Sequence, residues 1–547
     1  MVGVMLSDEE KLFVPRIKAI LTLSFLISDL KKWLHGDKRM SKLTVVCAEF
    51  DHWDEAKHNA ELNYGGANVL ALILAMTKDE DEIRMICAAL EMIFRASESH
   101  VHAAFVKVGA SVVPWLLQVL EICEQKLMKH PEISIMNITK TLAYFSRISE
   151  LRSGLARQDG MMEALARVST AQLPPDCRTC RMRLIANLAN CDDNKGLFLR
   201  TPGVLESVLR IAALDPTEAA REYSSITLMD LAACKDNQVA MAVNDKLLGT
   251  LVKLIVTEVI PETREAAVTA IQNLAYCQEN RVRLVTFSSG VVLEALKKNL
   301  SSDKNDKSRR RAAGAITNLA SEDTAELLGN YKGLLQTLAI VSSKDTNKEV
   351  QERAIMALTK VAACITFDMA CYRVLLDALV VASLSSHPNS ISAVLRVKAR
   401  VAENRQSMAR HPGILDTLAD ISLSEQFPIN DRENAMRAIM HLTNEDENCK
   451  IMCHKTILDA LVTGVAMEGK GRDIAESAIV SLQRLATDVS NREKMARHDG
   501  LLTAVAKVTE REAKLERETK ATPTKEEHVS RKLLAKPLLM SLLVAMP

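Results

Sequence analysis

The stretch IQNLAYCQENR at residues 271–281 decides the fold, because much of it returns at a regular distance along the chain. The sequence reads LIANLANCDDNK from Leu184, ITLMDLAACKDN from Ile226 and MALTKVAACITF from Met356. In every copy a Leu-Ala or Val-Ala pair is followed by one further residue and then a cysteine. A pattern that returns in this way indicates an array of similar structural repeats.

The starts of the apolar helices extend this pattern over most of the chain. Successive starts are separated by about 43 residues, a period that is typical of helical solenoids. The starts lie near residues 66, 109, 160, 203, 246, 290, 333, 374, 413, 456 and 500.

Each repeat has the same internal order. A short polar helix such as NREKMAR (491–497) is followed by a tight turn, an apolar helix, a polar loop and a longer helix. The turn ends in glycine in QDG (158–160), TPG (201–203), HPG (411–413) and HDG (498–500). Because glycine adopts positive φ without steric cost, these glycines are predicted to end one helix and start the next.

Composition supports an all-α chain and limits the classes of function. Hydrophobic residues make up 48% of the 547 residues but aromatic residues only 3%, so the apolar residues are mostly good helix formers. The formal net charge is +1, which gives no global field for nucleic acid or membrane binding. The 12 cysteines, several of them in a fixed helical register, are typical of a reduced intracellular protein rather than a disulfide framework.

The repeat text resembles the armadillo repeat, in which three helices follow the pattern Asn-Arg, Gly-apolar-Leu and Leu-x-Asn-Leu-Ala. The resemblance implies a right-handed α-solenoid of about eleven three-helix repeats. HEAT repeats are the nearest alternative, but they lack the short first helix. The expected domains are a helical N-terminal cap at 1–60, the repeat array at 61–510, and a charged loop with a final apolar helix at 511–547.

The two ends are read as caps. Ser7 and Glu10 form a plausible capping box, and the acidic residues near the start argue against a signal peptide. The apolar tail LLAKPLLMSLLVAMP (533–547) is too short to span a bilayer, so it is predicted to cover the last repeat, with Thr524 and Glu527 capping its helix. A membrane-surface helix is the alternative.

Motifs for chemistry do not carry an enzyme assignment. GVAMEGKG (464–471) nearly matches a phosphate-binding loop, but Gly471 stands where Ser or Thr is required and the preceding segment is helical in pattern. The pair in CRTC (177–180) and the pair in CKIMC (449–453) lack further zinc ligands, and no histidines have HExxH spacing. We therefore expect no catalytic residues, no metal and no cofactor.

The resemblance implies a binding site instead. In armadillo proteins the third helices line a concave groove, where a ladder of asparagines holds the backbone of an extended peptide through amide hydrogen bonds. Carried over position by position, the ladder in this chain is Asn187, Asp230, Asn273, Asn318, Lys360, His441 and Arg484, and the repeat near residue 399 is too irregular to place.

Nuclear-import members of the family carry tryptophan one helical turn before the ladder. Here those positions hold Arg183, Ile226, Thr269, Gly314, Met356, Arg437 and Val480, which argues against the import function. Two turns before the ladder lie Tyr223, Arg311 and Arg353. After Asp230 the matched positions contain no Asp or Glu, so the later groove is predicted to be basic.

The expected function is a protein-interaction scaffold that binds an extended acidic or phosphorylated segment of a partner protein in this groove. Ordinary solvated side chains, a nuclear-transport or ubiquitin-pathway adaptor, and nucleic-acid or phosphoinositide binding are the alternatives. A monomer in the cytoplasm, or also in the nucleus, is expected.

Overall fold

The structure is a computed structural model, which describes residues 80–96, 102–125, 131–167, 173–364, 369–383, 389–467, 471–519 and 535–544. The N-terminal cap with Ser7 and Glu10, the repeat start at Gly66, and the cap at Thr524 and Glu527 lie outside the described residues. The described residues contain α-helices and short 3₁₀ turns and no strand. The chain divides into two halves, Met1–Asn280 and Arg281–Pro547, which are described separately.

The N-terminal half contains twelve described α-helices and a 3₁₀ turn at Gln278–Asn280. They are α1 (Glu80–Ala96), α2 (His102–Glu124), α3 (Pro131–Arg147), α4 (Ser149–Ala156), α5 (Met161–Ala166), α6 (Pro175–Ala189), α7 (Asp192–Arg200), α8 (Val204–Leu214), α9 (Glu218–Ala232), α10 (Lys235–Ala242), α11 (Asp245–Thr257) and α12 (Pro261–Leu274).

The C-terminal half continues the same order of helices, with a 3₁₀ turn at Phe287–Gly290. Its described helices are α13 (Arg281–Thr286), α14 (Val291–Ser302), α15 (Asp306–Leu319), α16 (Ala325–Asn330), α17 (Leu334–Lys344), α18 (Lys348–Cys364), α19 (Met369–Ser383), α20 (Asn389–Arg400), α21 (Ala402–Arg410), α22 (Ile414–Leu423), α23 (Ile429–Leu442), α24 (Asp446–Met452), α25 (Lys455–Val465), α26 (Arg472–Leu485), α27 (Val489–Ala496), α28 (Leu501–Thr519) and α29 (Ala535–Leu543).

Within each half, the longer third helices pack against one another in order along the chain. In the N-terminal half the order is α3, α6, α9 and α12, and in the C-terminal half it is α15, α18, α20, α23 and α26. These helices bury small and aliphatic side chains completely, as at Ala267, Ile271 and Leu274 of α12. Alanine at the contact lets neighbouring helix axes approach closely, and the buried aliphatic surface supplies the main stabilising term.

The turn glycines have the predicted backbone conformation. Gly160, Gly203, Gly413 and Gly500 have φ between 79° and 85°, and the same left-handed conformation occurs at Gly290 and Gly333. The prediction from the QDG, TPG, HPG and HDG turns is confirmed for these glycines, and each glycine directly precedes the apolar second helix of its repeat.

Two segments differ from the expected boundaries. Gly109 lies inside the long helix α2, because an apolar β-branched residue, Val108, precedes it in place of the Asp or Pro of the turn sequences. Helix α28 continues to Thr519, so the first part of the segment expected to be a charged loop is helical. Its Glu, Arg, Lys and Ala residues are strong helix formers, and Glu510 and Lys514 have i, i+4 spacing. The final helix α29 packs against α28 and α27.

A buried asparagine near the start of the first helix connects several repeats to the one before. The Nδ2 of Asn237 donates to two carbonyls of the preceding repeat: that of Leu231 at the end of its third helix (3.3 Å) and that of Lys195 in its first helix (3.0 Å). The same pair of bonds is made by Asn194, Asn280, Asn448 and Asn491. All five side chains are at most 3% exposed.

Replacing this asparagine is expected to destabilise the fold, since two buried carbonyls would lose their donor. Asn448 is fully buried and donates to Arg405 O and Leu442 O, both at 3.0 Å. Asn448→Ala should lower the free energy of unfolding by about 2 kcal/mol, measured by urea denaturation followed by circular dichroism. The exposed Asn430 of α23 provides the control, because Asn430→Ala removes a similar side chain from solvent. Equal stabilities of the two variants would contradict a structural role for the buried amide.

The turn glycines should tolerate alanine poorly. Gly413 has φ +84°, and a Cβ there would lie 3.1 Å from Cγ1 of Val380. Gly413→Ala should therefore lower the free energy of unfolding by about 1–2 kcal/mol. Gly154 lies within helix α4 and a Cβ there would meet nothing within 4 Å, so Gly154→Ala should raise stability by up to about 1 kcal/mol. Thermal unfolding of both variants tests the opposite signs.

Candidate functional site

The ladder positions of the N-terminal half are engaged within the fold. Asn187 Nδ2 donates to Ser146 Oγ of the preceding third helix at 2.9 Å, and Asn273 Nδ2 donates to Met229 O at 3.2 Å. Asp230 accepts from Asn190 Nδ2 at 3.5 Å, and burial raises the pKa of Asp230. At these positions the side chains bridge neighbouring third helices.

Two basic ladder residues of the C-terminal half make the same bond as Asn273. Lys360 Nζ donates to Thr317 O at 2.8 Å, and Arg484 Nη1 donates to Met440 O at 2.6 Å. In each case the acceptor is the carbonyl one residue before the ladder position of the preceding third helix. Both cations are half-buried, and burial, with the charge of Arg281, lowers the pKa of Lys360. Lysine and arginine thus retain the connecting role of asparagine and add a positive charge at a defined place.

The other predicted cations differ in how far their charge is balanced. Arg353 is exposed on α18 and forms no ion pair with a described residue. Arg311 of α15 is half-buried, and its Nε has no hydrogen-bond partner among the described residues. Arg437, in contrast, pairs with Glu433 at 2.5 Å and with Asp473 at 2.9 Å. Comparing matched positions of the sequence missed both acids. Glu433 lies one turn earlier in the same helix, and Asp473 lies in the next repeat.

The repeat that was too irregular to place has its third helix at α20. Asn404, which donates to Lys398 O at 3.2 Å, aligns with the buried asparagines of the other repeats. The ladder position seven residues before it is Val397, whose side chain is 47% exposed. The signal that could have located this helix is the ENR sequence at 403–405, which resembles the first-helix text of other repeats.

Placing α20 brings together a group of basic side chains that the sequence analysis missed. Burial lowers the pKa of His441, and four neighbouring positive charges lower it further. In decreasing order of effect these charges belong to Arg405, Arg400, Arg484 and Arg396. We call this set, with His441, the arginine cluster.

A smaller basic group lies in the N-terminal half. The Arg147 guanidinium carbon is 5.4 Å from the centre of the Tyr144 ring, and burial together with the charge of Arg183 lowers the pKa of Arg147. Tyr223 of the predicted site also lies within electrostatic range of Arg147. Arg147 was missed because it belongs to α3, which precedes the clearest copies of the repeat text.

The remaining motifs have structural explanations. Gly464 of α25 is a packing glycine, since a Cβ there would lie 2.8 Å from Cε of Met436. Burial raises the pKa of Cys449 to about 11 and also raises that of Cys177, so these thiols are poor nucleophiles and metal ligands. In the described part of the chain no three His, Cys, Asp or Glu side chains are grouped to hold a metal ion. No described helix is both long and apolar enough to cross a bilayer.

No protein-family model and no curated protein matches the sequence. Among solved structures, a beta-catenin structure from work on a phosphorylation switch in its interaction with cadherin aligns at 14% identity with TM-score 0.54, covering 95% of this chain and 99% of that chain. An engineered protein aligns at 17% identity with TM-score 0.52, covering 85% and 98%. A designed armadillo repeat protein in complex with a Lys-Arg repeat peptide aligns at 23% identity with TM-score 0.38, covering 46% and 99%.

The alignments with the beta-catenin structure and the engineered protein, together with the repeating three-helix order, confirm the predicted all-α armadillo-type repeat fold. At identities below 20% the two longer alignments establish the fold alone. Which surface acts, and on what partner, has to be argued from the side chains of this chain.

The depressed pKa of His441 makes a prediction about stability. Because folding lowers this pKa below the unfolded value of about 6.5, the folded state resists protonation of His441, and stability is lost as the pH falls through that unfolded value. His441→Gln removes this effect. Urea unfolding at about pH 8 and about pH 5.5 should therefore show the variant gaining stability relative to the wild type at the lower pH. A difference that does not change with pH would mean that the cluster does not act on His441.

Proposed function

We propose that this protein is a non-catalytic interaction scaffold whose C-terminal half binds an extended acidic or phosphorylated segment of a partner protein. The observation that carries the proposal is the set of cations on α15 and α18, namely Arg311, Arg353 and Lys360. None of the three forms an ion pair with a described residue. Repeats that leave a row of third helices open along one side suit an extended ligand.

The arrangement on α18 indicates what the ligand should contain. Arg353, Met356 and Lys360 follow one another at helical spacing, so they lie on one face of the helix. Met356 is 45% exposed, although most aliphatic side chains of α18 are buried. A segment that places acidic residues on either side of an aliphatic residue would match both the charges and the apolar surface.

Lys360 is the best-positioned cation of the three. Its Nζ is held at 2.8 Å from Thr317 O, which uses one of the three ammonium donors and leaves two for a ligand. The Lys360 side chain is already ordered and half-buried. Binding a carboxylate or phosphate would therefore cost less side-chain entropy here than at a free surface lysine. Charge-assisted hydrogen bonds to a fixed donor are also stronger than neutral ones.

The test compares the wild-type chain with Arg353→Glu/Lys360→Glu on an array of immobilised peptides of about 15 residues that differ in Asp and Glu content. The wild type should prefer acidic peptides that also contain aliphatic residues. The double variant should lose this binding by at least about 10-fold, because two attractive contacts become repulsive.

A matched control separates a local site from a general charge effect. Lys344→Glu/Lys348→Glu changes the net charge by the same amount and alters two exposed lysines at the end of α17 and the start of α18. This control should keep the binding of the wild type. Equal losses in both variants, or binding of nucleic acid in place of acidic peptides with a steep salt dependence, would contradict the proposal.

A further inference from the structure

The arginine cluster lies where three third helices of the C-terminal half come together. Arg396 and Arg400 belong to α20, His441 to α23 and Arg484 to α26. Helix α23 packs against both α20 and α26, so the four side chains come from adjacent elements. The sequence did not predict that these side chains lie close together, because α20 could not be aligned with the third helices of the other repeats.

One of the four arginines of the cluster already has its partners within the fold. Arg405 donates from Nε to Ala399 O at 3.2 Å and from Nη2 to Arg400 O at 3.0 Å, which caps the end of α20. Its Nη1 lies 2.8 Å from a carboxylate oxygen of Glu445. Arg405 therefore holds the end of α20 in place, and its charge is balanced.

The other cations keep their charge and part of their hydrogen-bonding capacity. Arg396 is half-buried, and its Nε is shielded from water without a hydrogen-bond partner among the described residues. Arg400 is exposed, and Arg484 uses Nη1 on Met440 O. No described carboxylate forms an ion pair with these three arginines. A shielded donor without an acceptor is costly, so an oxyanion that supplied one would be stabilising.

The amount of charge favours a phosphoryl group over a carboxylate. A carboxylate carries a single negative charge and two oxygens, so it offsets a smaller share of the charge of three guanidinium groups and accepts fewer of their hydrogen bonds than a phosphate does. A phosphate monoester carries about −1.5 to −2 charges at neutral pH and three acceptor oxygens, and guanidinium groups bind it in a bidentate manner. Burial and the arginines lower the pKa of His441, and a bound anion would shift this pKa in the opposite direction.

We infer that Arg396, Arg400, His441 and Arg484 form a phosphate-binding site for a phosphoserine or phosphothreonine of the partner segment. This inference rests on the proposed function, because His441 and Arg484 occupy ladder positions in the same half as Lys360. The exposed Val397 of α20, also at a ladder position, offers an apolar contact beside the site. A protein segment can use both features, whereas a lipid headgroup would use only the charges.

The experiment uses the full chain and the same acidic peptides, each made with a central serine, phosphoserine or glutamate. The wild type should bind the phosphoserine form at least about 10-fold more tightly than the glutamate form. Arg396→Gln/Arg400→Gln should reduce the affinity for the phosphoserine form to that for the glutamate form. Arg484→Gln should act in the same direction, and it retains a donor for Met440 O if the double variant folds poorly.

The control variant Arg373→Gln/Arg410→Gln removes two exposed arginines of the same half and should bind like the wild type. Inorganic phosphate should compete with the phosphoserine peptides. Equal binding of phosphoserine and glutamate forms would overturn the inference, and if that binding still required Arg353 and Lys360 the proposed function would stand. Binding of no peptide form would reject both. Arginine-dependent binding to phosphoinositide-containing vesicles without a phosphopeptide preference would also overturn it.

Discussion

The repeat array depends on a buried amide that recurs along the chain. The asparagine near the start of the first helix donates to two carbonyls of the preceding repeat, one at the end of its third helix and one in its first helix. Since a solenoid repeat contacts only its neighbours, this bond acts together with the ladder bonds and the salt bridges between repeats to fix the register in which successive third helices lie. Before α16, where the asparagine is absent, Thr324 makes the bond to the preceding third helix instead, donating from Oγ1 to Leu319 O at 2.5 Å. The alignment of side chains along the third helices follows from this register.

Most of the fold could be predicted because its determinants are local and periodic. A glycine that requires positive φ, such as Gly203 or Gly413, can be recognised from its turn sequence, and the spacing of the third helices can be counted. The predicted helix boundaries were wrong, or could not be given, where the turn sequence or the third-helix sequence departs from the repeat pattern. At Gly109 no turn residue precedes the glycine, so the helix continues, and at α20 the Leu-x-Asn-Leu-Ala text is replaced while the helix itself remains. Tertiary packing keeps the repeat order at α20 after its sequence signature has been lost.

The candidate site was only partly predictable, because charge balance is a property of neighbouring repeats. Many arginines at the starts of third helices bind an acid about one repeat later: Arg178 pairs with Asp215, Arg221 with Glu258 and Arg309 with Asp345. Arg437 is balanced in the same way by Asp473. A comparison of equivalent positions along the sequence cannot see these cross-repeat partners. Because the net charge of the chain is only +1, its cations and acids are almost equal in number. The candidate binding residues are the cations that form no such salt bridge.

The ladder positions show how the charge of the proposed binding surface can change while the bond between repeats is kept. Asn273, Lys360 and Arg484 all donate one hydrogen bond to the same backbone position of the preceding third helix. An amide nitrogen has two N–H donors, an ammonium three and a guanidinium five, so the number left for a ligand rises from one to two to four. Lysine or arginine in place of asparagine therefore keeps the link between repeats while it adds positive charge and further donors. Because this link uses one donor of the side chain, the proposed recognition would use the others, and the ligand preference of a repeat would then change independently of the stability of the array.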